Sequence, residues 1–295
     1  DLKAILSSWF DIGLLDLAEI TWNSPAALLE KLMEYEAVHR IASWDDLKNR
    51  LDSDRRIFAF FHHRMPLEPL IFVQVAFTQG LAGNIQQLLD EKTPALDPEK
   101  ADTAIFYSIS NAQKGLAGIS FGNFLIKRVV ALLGEEMNNI KHFATLSPVP
   151  GFRAWLDPLL AKGSHSLLLA EEKAALVRLS GEKDASRALH QLLEAGEVKP
   201  EATVLKPILL RLCARYLLEE KKADKPLDPV ANFHMFNGAR LERLNWLGDA
   251  SARGLKQSAG IMANYYYALD EIDDNHEAFV GGKLVAGRQV RAYLK

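Results

Sequence analysis

The stretch TAIFYSISNAQKGLAGISFGNFLIKRVVALLGEEM, residues 103–137, decides the fold more than any other part of the sequence. Residues 103–110 are rich in β-branched and aromatic side chains and predict a strand. The glycine-containing segment NAQKGLAGISFG follows, and NFLIKRVVALLGEEM then shows apolar residues at helical spacing. A strand, a glycine loop and a helix in this order offer free backbone N–H groups to a phosphate or a thioester oxygen.

Further strands are predicted on both sides of this segment. RIFAFFHH and LIFVQVAFT indicate a strand pair over residues 56–78, with the two prolines of RMPLEP in the turn. HFATLSPV, residues 142–149, predicts another strand. Strand character returns over residues 230–246, where alternation places Asn232, His234 and Phe236 on one face.

Helical patterns occupy the beginning, the middle and the end of the chain. WFDIGLLDL and AALLEKLMEYEAV indicate helices, the second starting at Ser24-Pro25, and Ser43 begins a sequence close to a capping box. A helical insertion is predicted near residues 152–222. SARGLKQSAGIMANYYYAL and VAGRQVRAYLK predict further helices. Strands and helices in this irregular order predict an α+β fold.

Composition argues against several classes of protein. With 295 residues, 48% hydrophobic and 25% charged, the chain is typical of a globular protein. A net charge of -3 provides no basic field for a nucleic acid. We expect no membrane partner, since no run approaches the roughly 20 apolar residues of a membrane span. The lone Cys213 lies in an apolar helical run and is interpreted as a structural thiol.

The glycine loop supports a functional interpretation and a plainer one. It lacks both the G-x-G-x-x-G spacing of dinucleotide sites and the G-K-[ST] of Walker loops. It resembles the loop that holds the CoA pyrophosphate in the GNAT acetyltransferase superfamily, although Ala112 stands where that pattern has Arg or Gln. The alternative is a turn that uses glycine for its geometry alone.

Two polar residues are candidates for chemistry. Ser147 precedes Pro148, which holds the serine backbone extended and fixes its direction, but a serine that simply ends a strand is the plainer interpretation. His234 lies beside Asn232 and Asn237, and a structural role is the alternative. H-x-x-x-H, C-x-x-C and H-E-x-x-H spacings do not occur, so we predict no metal site.

Six segments in the same order are similar to malonyl-CoA decarboxylases: LSSWFDIGLLDLAEITWNSPAALLEKL, EPLIFVQVAFT, FYSISNAQKGLAGISFGNFLIKRVV, LSPVPGF, DPVANFHMFNGARLERLNWLGD and QSAGIMANYYY. The resemblance implies an acetyltransferase-like mixed β-sheet flanked by helices over residues 46–295, with the helical insertion inside it. Residues 1–45 would be the C-terminal part of an all-helical oligomerisation domain. A homo-oligomer, either a dimer or a tetramer, is implied as well.

The resemblance also implies an activity and its residues. Malonyl-CoA would be converted to acetyl-CoA and CO2 without a metal or organic cofactor, because the thioester itself accepts the electrons. The family's catalytic serine and histidine fall on Ser147 and His234, and which of them protonates the enolate stays open. The CoA-thioester-binding stretch falls on Gly115, Ala117, Gly118, Ile119, Ser120, Phe121, Gly122 and Asn123.

Competing functions and a cellular location complete the expectations. An acyltransferase that uses acyl-CoA and a non-catalytic acyl-CoA-binding protein are the alternative functions. We expect a cytoplasmic protein, since the chain shows no positively charged leader and its last residues, VRAYLK, are not a peroxisomal address.

Overall fold

The computed structural model describes residues 12–113, 122–163, 166–195 and 203–295. The strands are β1 Leu15–Ile20, β2 Arg55–His62, β3 Met65–Thr78, β4 Thr103–Asn111, β5 His142–Thr145, β6 Ser147–Pro148, β7 Lys221–Lys222, β8 Lys225–Pro226, β9 Arg240–Asn245 and β10 Met262–Tyr266. The α-helices are α1 Ala26–Tyr35, α2 Trp44–Asn49, α3 Ile85–Leu88, α4 Gly122–Glu136, α5 Phe152–Ala161, α6 Ala170–Ser180, α7 Ala185–Glu194, α8 Leu205–Leu218, α9 Pro229–Phe236, α10 Ala252–Ser258, α11 Ile272–Val280 and α12 Arg288–Ala292. Short 3-10 helices occupy Ile12–Leu14 and Pro98–Lys100.

The described residues form two compact units. Unit 1 contains the residues up to 82 together with 87–146, and unit 2 contains 83–86 together with 147–295. Each unit has its own part of the β-structure and its own helices. The α+β class expected from the sequence is confirmed.

Unit 1 is built on strands in the order β1-β2-β3-β4-β5. Neighbouring strands are antiparallel except β4 and β5, which are parallel. A parallel pair needs a crossover connection, and α4 lies in the connection between these two strands. The strands predicted over 56–78 and 103–110 and the helix after the glycine loop are therefore confirmed. The prolines of RMPLEP lie within β3 instead of the turn.

The core of unit 1 explains why the centre of β2 is a continuous apolar run. Leu28, Leu29 and Leu32 of α1 pack on Ile57 and Ala59 of β2. Phe58 and Phe60 alternate with those two residues and are also buried. Both faces of β2 are covered, so alternation between apolar and polar residues is absent from this strand.

The helix expected for WFDIGLLDL is wrong from Leu15 onward, and Ile12–Leu14 form only a short 3-10 helix. Residues 15–20 form β1, which pairs antiparallel with β2, with Leu15 opposite His62 and Ile20 opposite Ile57. The apolar spacing of the segment suits a helix locally, but backbone hydrogen bonds to β2 satisfy its amides and carbonyls. Assigning residues 1–45 to a separate helical domain stays a prediction.

Unit 2 begins with the predicted helical region. Helices α5 to α8 lie within residues 152–218, and β7 follows at Lys221–Lys222. That the region near 152–222 is an insertion stays a prediction. The hairpin of β7 and β8 turns at Ala223 and Asp224, both with positive φ, as a two-residue hairpin turn requires. Strands β9 and β6 both pair antiparallel with β10.

Three strand and helix boundaries in the second half of the chain were expected differently. Pro229–Phe236 is helix α9, so the strand expected from residue 230 begins only at Arg240. The helix expected for SARGLKQSAGIMANYYYAL ends at Ser258, and β10 follows. Ala259 and Gly260 have positive φ and end that helix, after which the aromatic residues favour a strand. The strand expected over 142–149 is divided into β5 and β6 at Leu146.

Candidate active site

Ser147 is placed by the pairing of β6 with β10 in unit 2. Ser147 lies opposite Ala263, and Pro148 lies opposite Met262. Directly opposed residues point to the same face of a sheet, and residues two apart on a strand do so too. The side chains of Ser147, Ala263 and Tyr265 therefore belong to one face, and Tyr267 follows the last residue of β10.

His234 reaches this face from a helix, not from the strand that the sequence predicted. Asp228 is the N-cap of α9, and its side chain accepts hydrogen bonds from the amides of Val230 and Ala231, each at 2.9 Å. Pro229 occupies the first turn, where its missing N–H costs nothing. These two signals start the helix and override the β-rich character of VANFHMF. His234 lies in the last turn of α9.

A continuous chain of hydrogen bonds runs through the His234 ring. Its Nε2 lies 3.2 Å from Ser147 Oγ, and its Nδ1 lies 2.8 Å from the Tyr267 hydroxyl. The Tyr265 ring stacks on the imidazole, with centroids 4.7 Å apart and planes at 23°. Relative exposures of 6% for Ser147, 2% for His234 and 1% for Tyr267 leave the chain almost dehydrated.

Burial makes every member of this chain neutral at physiological pH. Desolvation lowers the pKa of His234 to about 3 and raises the pKa of Tyr267 well above its usual value. A neutral imidazole has one donor and one acceptor nitrogen, and each hydroxyl can donate or accept. In one tautomer Tyr267 O–H donates to Nδ1 and Nε2–H donates to Ser147 Oγ. The Ser147 hydroxyl can then turn its own proton toward a group of the substrate.

Asp228 is a buried carboxylate that serves the geometry of the site. It is fully buried, and desolvation raises its pKa. Besides the two α9 amides, it accepts a hydrogen bond from the Tyr216 hydroxyl at 3.4 Å. A Cβ at Gly151 would lie 2.1 Å from that hydroxyl, so a glycine is required there. These contacts hold the beginning of the helix that carries His234.

The structure brings together Ser147 and His234, which are 87 residues apart in sequence. Six of the predicted binding residues lie outside the described ranges, namely Gly115, Ala117, Gly118, Ile119, Ser120 and Phe121. Gly122 and Asn123 form the first residues of α4. Cys213 is buried, as its structural interpretation required.

Sequence reasoning missed Tyr267, Tyr265 and Asp228. The two tyrosines belong to QSAGIMANYYY, which was part of the resemblance. That segment was interpreted as a helix, so nothing in the sequence indicated that both tyrosines contact the same histidine. The Asp-Pro dipeptide at 228–229 was a readable helix start. Recognising it would have moved His234 from a strand to a helix on local sequence signals alone.

Within the four described ranges, no cluster of three or more His, Cys, Asp or Glu side chains could hold a metal ion. In the same ranges, no helix is long and apolar enough to cross a membrane.

Comparison with solved structures first defines the class of fold. The GNAT-like decarboxylase GphF, solved in complex with isobutyryl-CoA, aligns with 86% of this chain and 99% of its own at a TM-score of 0.51 and 16% identity. This similarity shows a GNAT-like fold, which the sequence predicted.

The family follows from closer matches. The chain belongs to the malonyl-CoA decarboxylase family, since the sequence model of the malonyl-CoA decarboxylase C-terminal domain matches residues 13–295. A malonyl-CoA decarboxylase structure from Agrobacterium vitis has a TM-score of 0.90 and 45% identity, over 100% of this chain and 70% of that one. The mitochondrial malonyl-CoA decarboxylase of Anser anser anser is 43% identical, over 99% of this chain. The chain spans about 60% of the length of the curated relatives it matches.

Proposed function

We propose that this chain converts malonyl-CoA to acetyl-CoA and CO2, with Ser147 and His234 as its catalytic residues. One observation carries the proposal: the serine and the histidine of two separate family segments meet within hydrogen-bond distance, 3.2 Å, in a buried site. Membership of the malonyl-CoA decarboxylase family supports the choice of substrate.

The reaction itself sets what the site must do. Breaking the bond between the α-carbon and the carboxylate releases CO2 and leaves the bonding electrons on the thioester as an enolate. One proton must then be added to the α-carbon to give acetyl-CoA. The site has to stabilise the negative charge on the thioester oxygen and control that proton. The thioester is the electron acceptor, so the proposed reaction uses no metal or organic cofactor.

The hydrogen-bond chain suits these tasks because all of its members are neutral donors. With Tyr267 donating to Nδ1 and Nε2–H donating to Ser147, the serine hydroxyl presents its proton to the malonyl carboxylate or the thioester oxygen. In a dehydrated site such a donor interacts with a developing charge more strongly than in water. A charged imidazolium would hold the carboxylate in place by ion pairing, which favours the ground state that decarboxylation must leave.

The CoA thioester is proposed to bind along residues 115 and 117–123. Gly122 begins α4, a helix of 15 residues whose first amides carry partial positive charge. Anionic groups bind readily at such an end, and the small residues of the stretch permit close approach of the backbone. This part of the proposal rests on the family match and on the position of α4.

The assembly and the location belong to the same proposal. We expect a homo-oligomer, either a dimer or a tetramer, acting in the cytoplasm on malonyl-CoA without a nucleic acid or membrane partner. Sedimentation of the purified protein tests the oligomeric state. Fractionation of the source cells tests the location.

One incubation tests the activity against the two alternatives. The protein is mixed with malonyl-CoA alone, and CO2 release and acetyl-CoA are followed by mass spectrometry. Acetyl-CoA without an added acceptor supports decarboxylation. Turnover only when an amine is present would indicate an acyltransferase instead. Binding of malonyl-CoA without any product would indicate an acyl-CoA-binding protein.

A further inference from the structure

The helix that carries His234 is too short to be stable without contacts to the rest of the protein. Helix α9 has eight residues, and helices of this length have marginal stability in water without tertiary support. The last carbonyl groups of any helix also lack partners within it. His234 lies in the last turn, so whatever holds that end of α9 determines where the imidazole lies.

Helix α11 supplies two side-chain donors to this end. His276 Nδ1 donates to the Phe236 carbonyl, and Asn275 Nδ2 donates to the Gly238 carbonyl at 3.2 Å. A carbonyl oxygen only accepts, so His276 must carry its proton on Nδ1. The backbone between these acceptors turns back through Gly238, where φ is +85°.

Packing reinforces the two hydrogen bonds. The His276 ring stands edge-on to Phe236, with centroids 4.9 Å apart and planes at 79°, and Phe236 makes a similar contact with Phe279. A Cβ at Gly238 would lie 2.2 Å from the Ile272 carbonyl oxygen. The end of α9 is therefore fitted closely against α11 and has little freedom to move while these contacts persist.

We infer that Asn275 and His276 are positioning residues of the active site, which fix the end of α9 so that His234 stays within hydrogen-bond reach of Ser147. The inference rests on the proposed function for its kinetic test. The distance from His234 Nε2 to Ser147 Oγ is 3.2 Å. Hydrogen bonds weaken steeply beyond such a distance, so a small displacement of the helix end disconnects the pair.

The kinetic test compares three substitutions on one helix. His276→Ala removes the donor and the ring and should lower kcat about fivefold or more, while KM for malonyl-CoA changes less than about twofold. His276→Asn keeps an N–H donor near the Nδ1 position and should restore kcat to within about twofold of the wild type. Glu277→Ala changes the exposed neighbour on α11 and is the control. If Asn does not restore the rate in a folded variant, the donor role is refuted.

A double-mutant comparison separates positioning from general loss of structure. When His234 is already Ala, adding His276→Ala should leave the residual rate unchanged, because His276 acts only through the imidazole. A further fivefold loss in that background would overturn the inference. Should His276→Ala fail to fold, Asn275→Leu, which removes the donor to the Gly238 carbonyl, replaces it in both comparisons.

A measurement independent of turnover keeps this inference distinct from the proposed activity. In protein labelled with 15N-histidine, the His234 ring signals are assigned by their disappearance in His234→Ala. His276→Ala should shift or broaden them, and His276→Asn should leave them near their wild-type positions. Unchanged His234 signals in His276→Ala would refute positioning. Absence of malonyl-CoA turnover in the wild type would refute only the proposed function.

Discussion

Replacing Tyr267 by Phe tests the hydrogen-bond chain at a group that never needs to touch the substrate. The change removes one oxygen and leaves the ring in place. His234 Nδ1 then loses the partner that lies 2.8 Å away, in a site where both side chains are buried. A buried polar group left without its hydrogen bond costs about 1–3 kcal/mol. If that cost appears in the chemical step, kcat falls roughly five- to 150-fold.

The expected split between kinetic constants follows from the geometry. Tyr267 orients the imidazole, so the loss should appear in kcat, with KM for malonyl-CoA nearly unchanged. The assay is steady-state release of CO2 from malonyl-CoA, with the thermal midpoint recorded for each variant.

A matched control separates this effect from the loss of any buried tyrosine hydroxyl. Tyr107 in unit 1 is equally buried, and its hydroxyl donates to Gln74 Oε1 at 2.9 Å. Tyr107→Phe should therefore lower stability by a similar amount and leave kcat within about twofold. A folded Tyr267→Phe variant with wild-type kcat, or equal losses of kcat in both variants, would refute the orienting role.

Three further predictions concern the proposed catalytic pair, the CoA-binding stretch and the buried imidazole. His234→Ala should lower kcat roughly 10²-fold, and Ser147→Ala should lower it roughly ten- to a hundredfold. The double variant should lose less activity than the product of the two single losses, because the two residues act together. Strictly multiplicative losses would show that they act independently. Gly118→Val should raise KM for malonyl-CoA because a β-branched side chain obstructs backbone approach, and an unchanged KM would contradict the binding assignment. The pKa of His234 is about 3 in the folded protein, against about 6.5 unfolded, so the unfolded state binds more protons between these values and stability falls as pH falls. Between pH 7 and pH 5, denaturant titrations should show the wild type losing about 2 kcal/mol more of its unfolding free energy than His234→Gln loses. Equal pH dependence in the two proteins would contradict the neutral, buried state.

Much of unit 1 could be predicted from local sequence, because residue composition and apolar spacing indicate the same strands and helices. The runs of β2, β3 and β4 are rich in β-branched and aromatic side chains, and α4 keeps helical spacing over 15 residues. The class of fold followed from their order. Residues 15–20 were misjudged because WFDIGLLDL has apolar residues at helical spacing, and only pairing with β2 made residues 15–20 a strand.

In unit 2 the sequence pointed to the two candidate catalytic residues but not to the secondary structure around them. Ser147 and His234 were expected to meet, and their side chains lie 3.2 Å apart. His234, however, was placed on a strand, and the partner strand of Ser147 was placed in a helix. The Asp228-Pro229 helix start and the positive φ at Gly260 are local features, and the β-rich composition of the first segment and the helical spacing of the second obscured them. The burial of Asp228 and its contact with the Tyr216 hydroxyl are tertiary features that no local pattern contains.

The sequence by itself determined the α+β class, the main strands and helices of unit 1, the family and the two candidate catalytic residues. These conclusions depend on side-chain chemistry and on the spacing of apolar residues within single helices and strands. Only the tertiary structure decided that Tyr267 completes the hydrogen-bond chain, that burial keeps His234 neutral, and that Asn275 and His276 hold the end of its helix. Each of these depends on distances between residues far apart in sequence and on the exclusion of water, and neither quantity exists until the chain has folded.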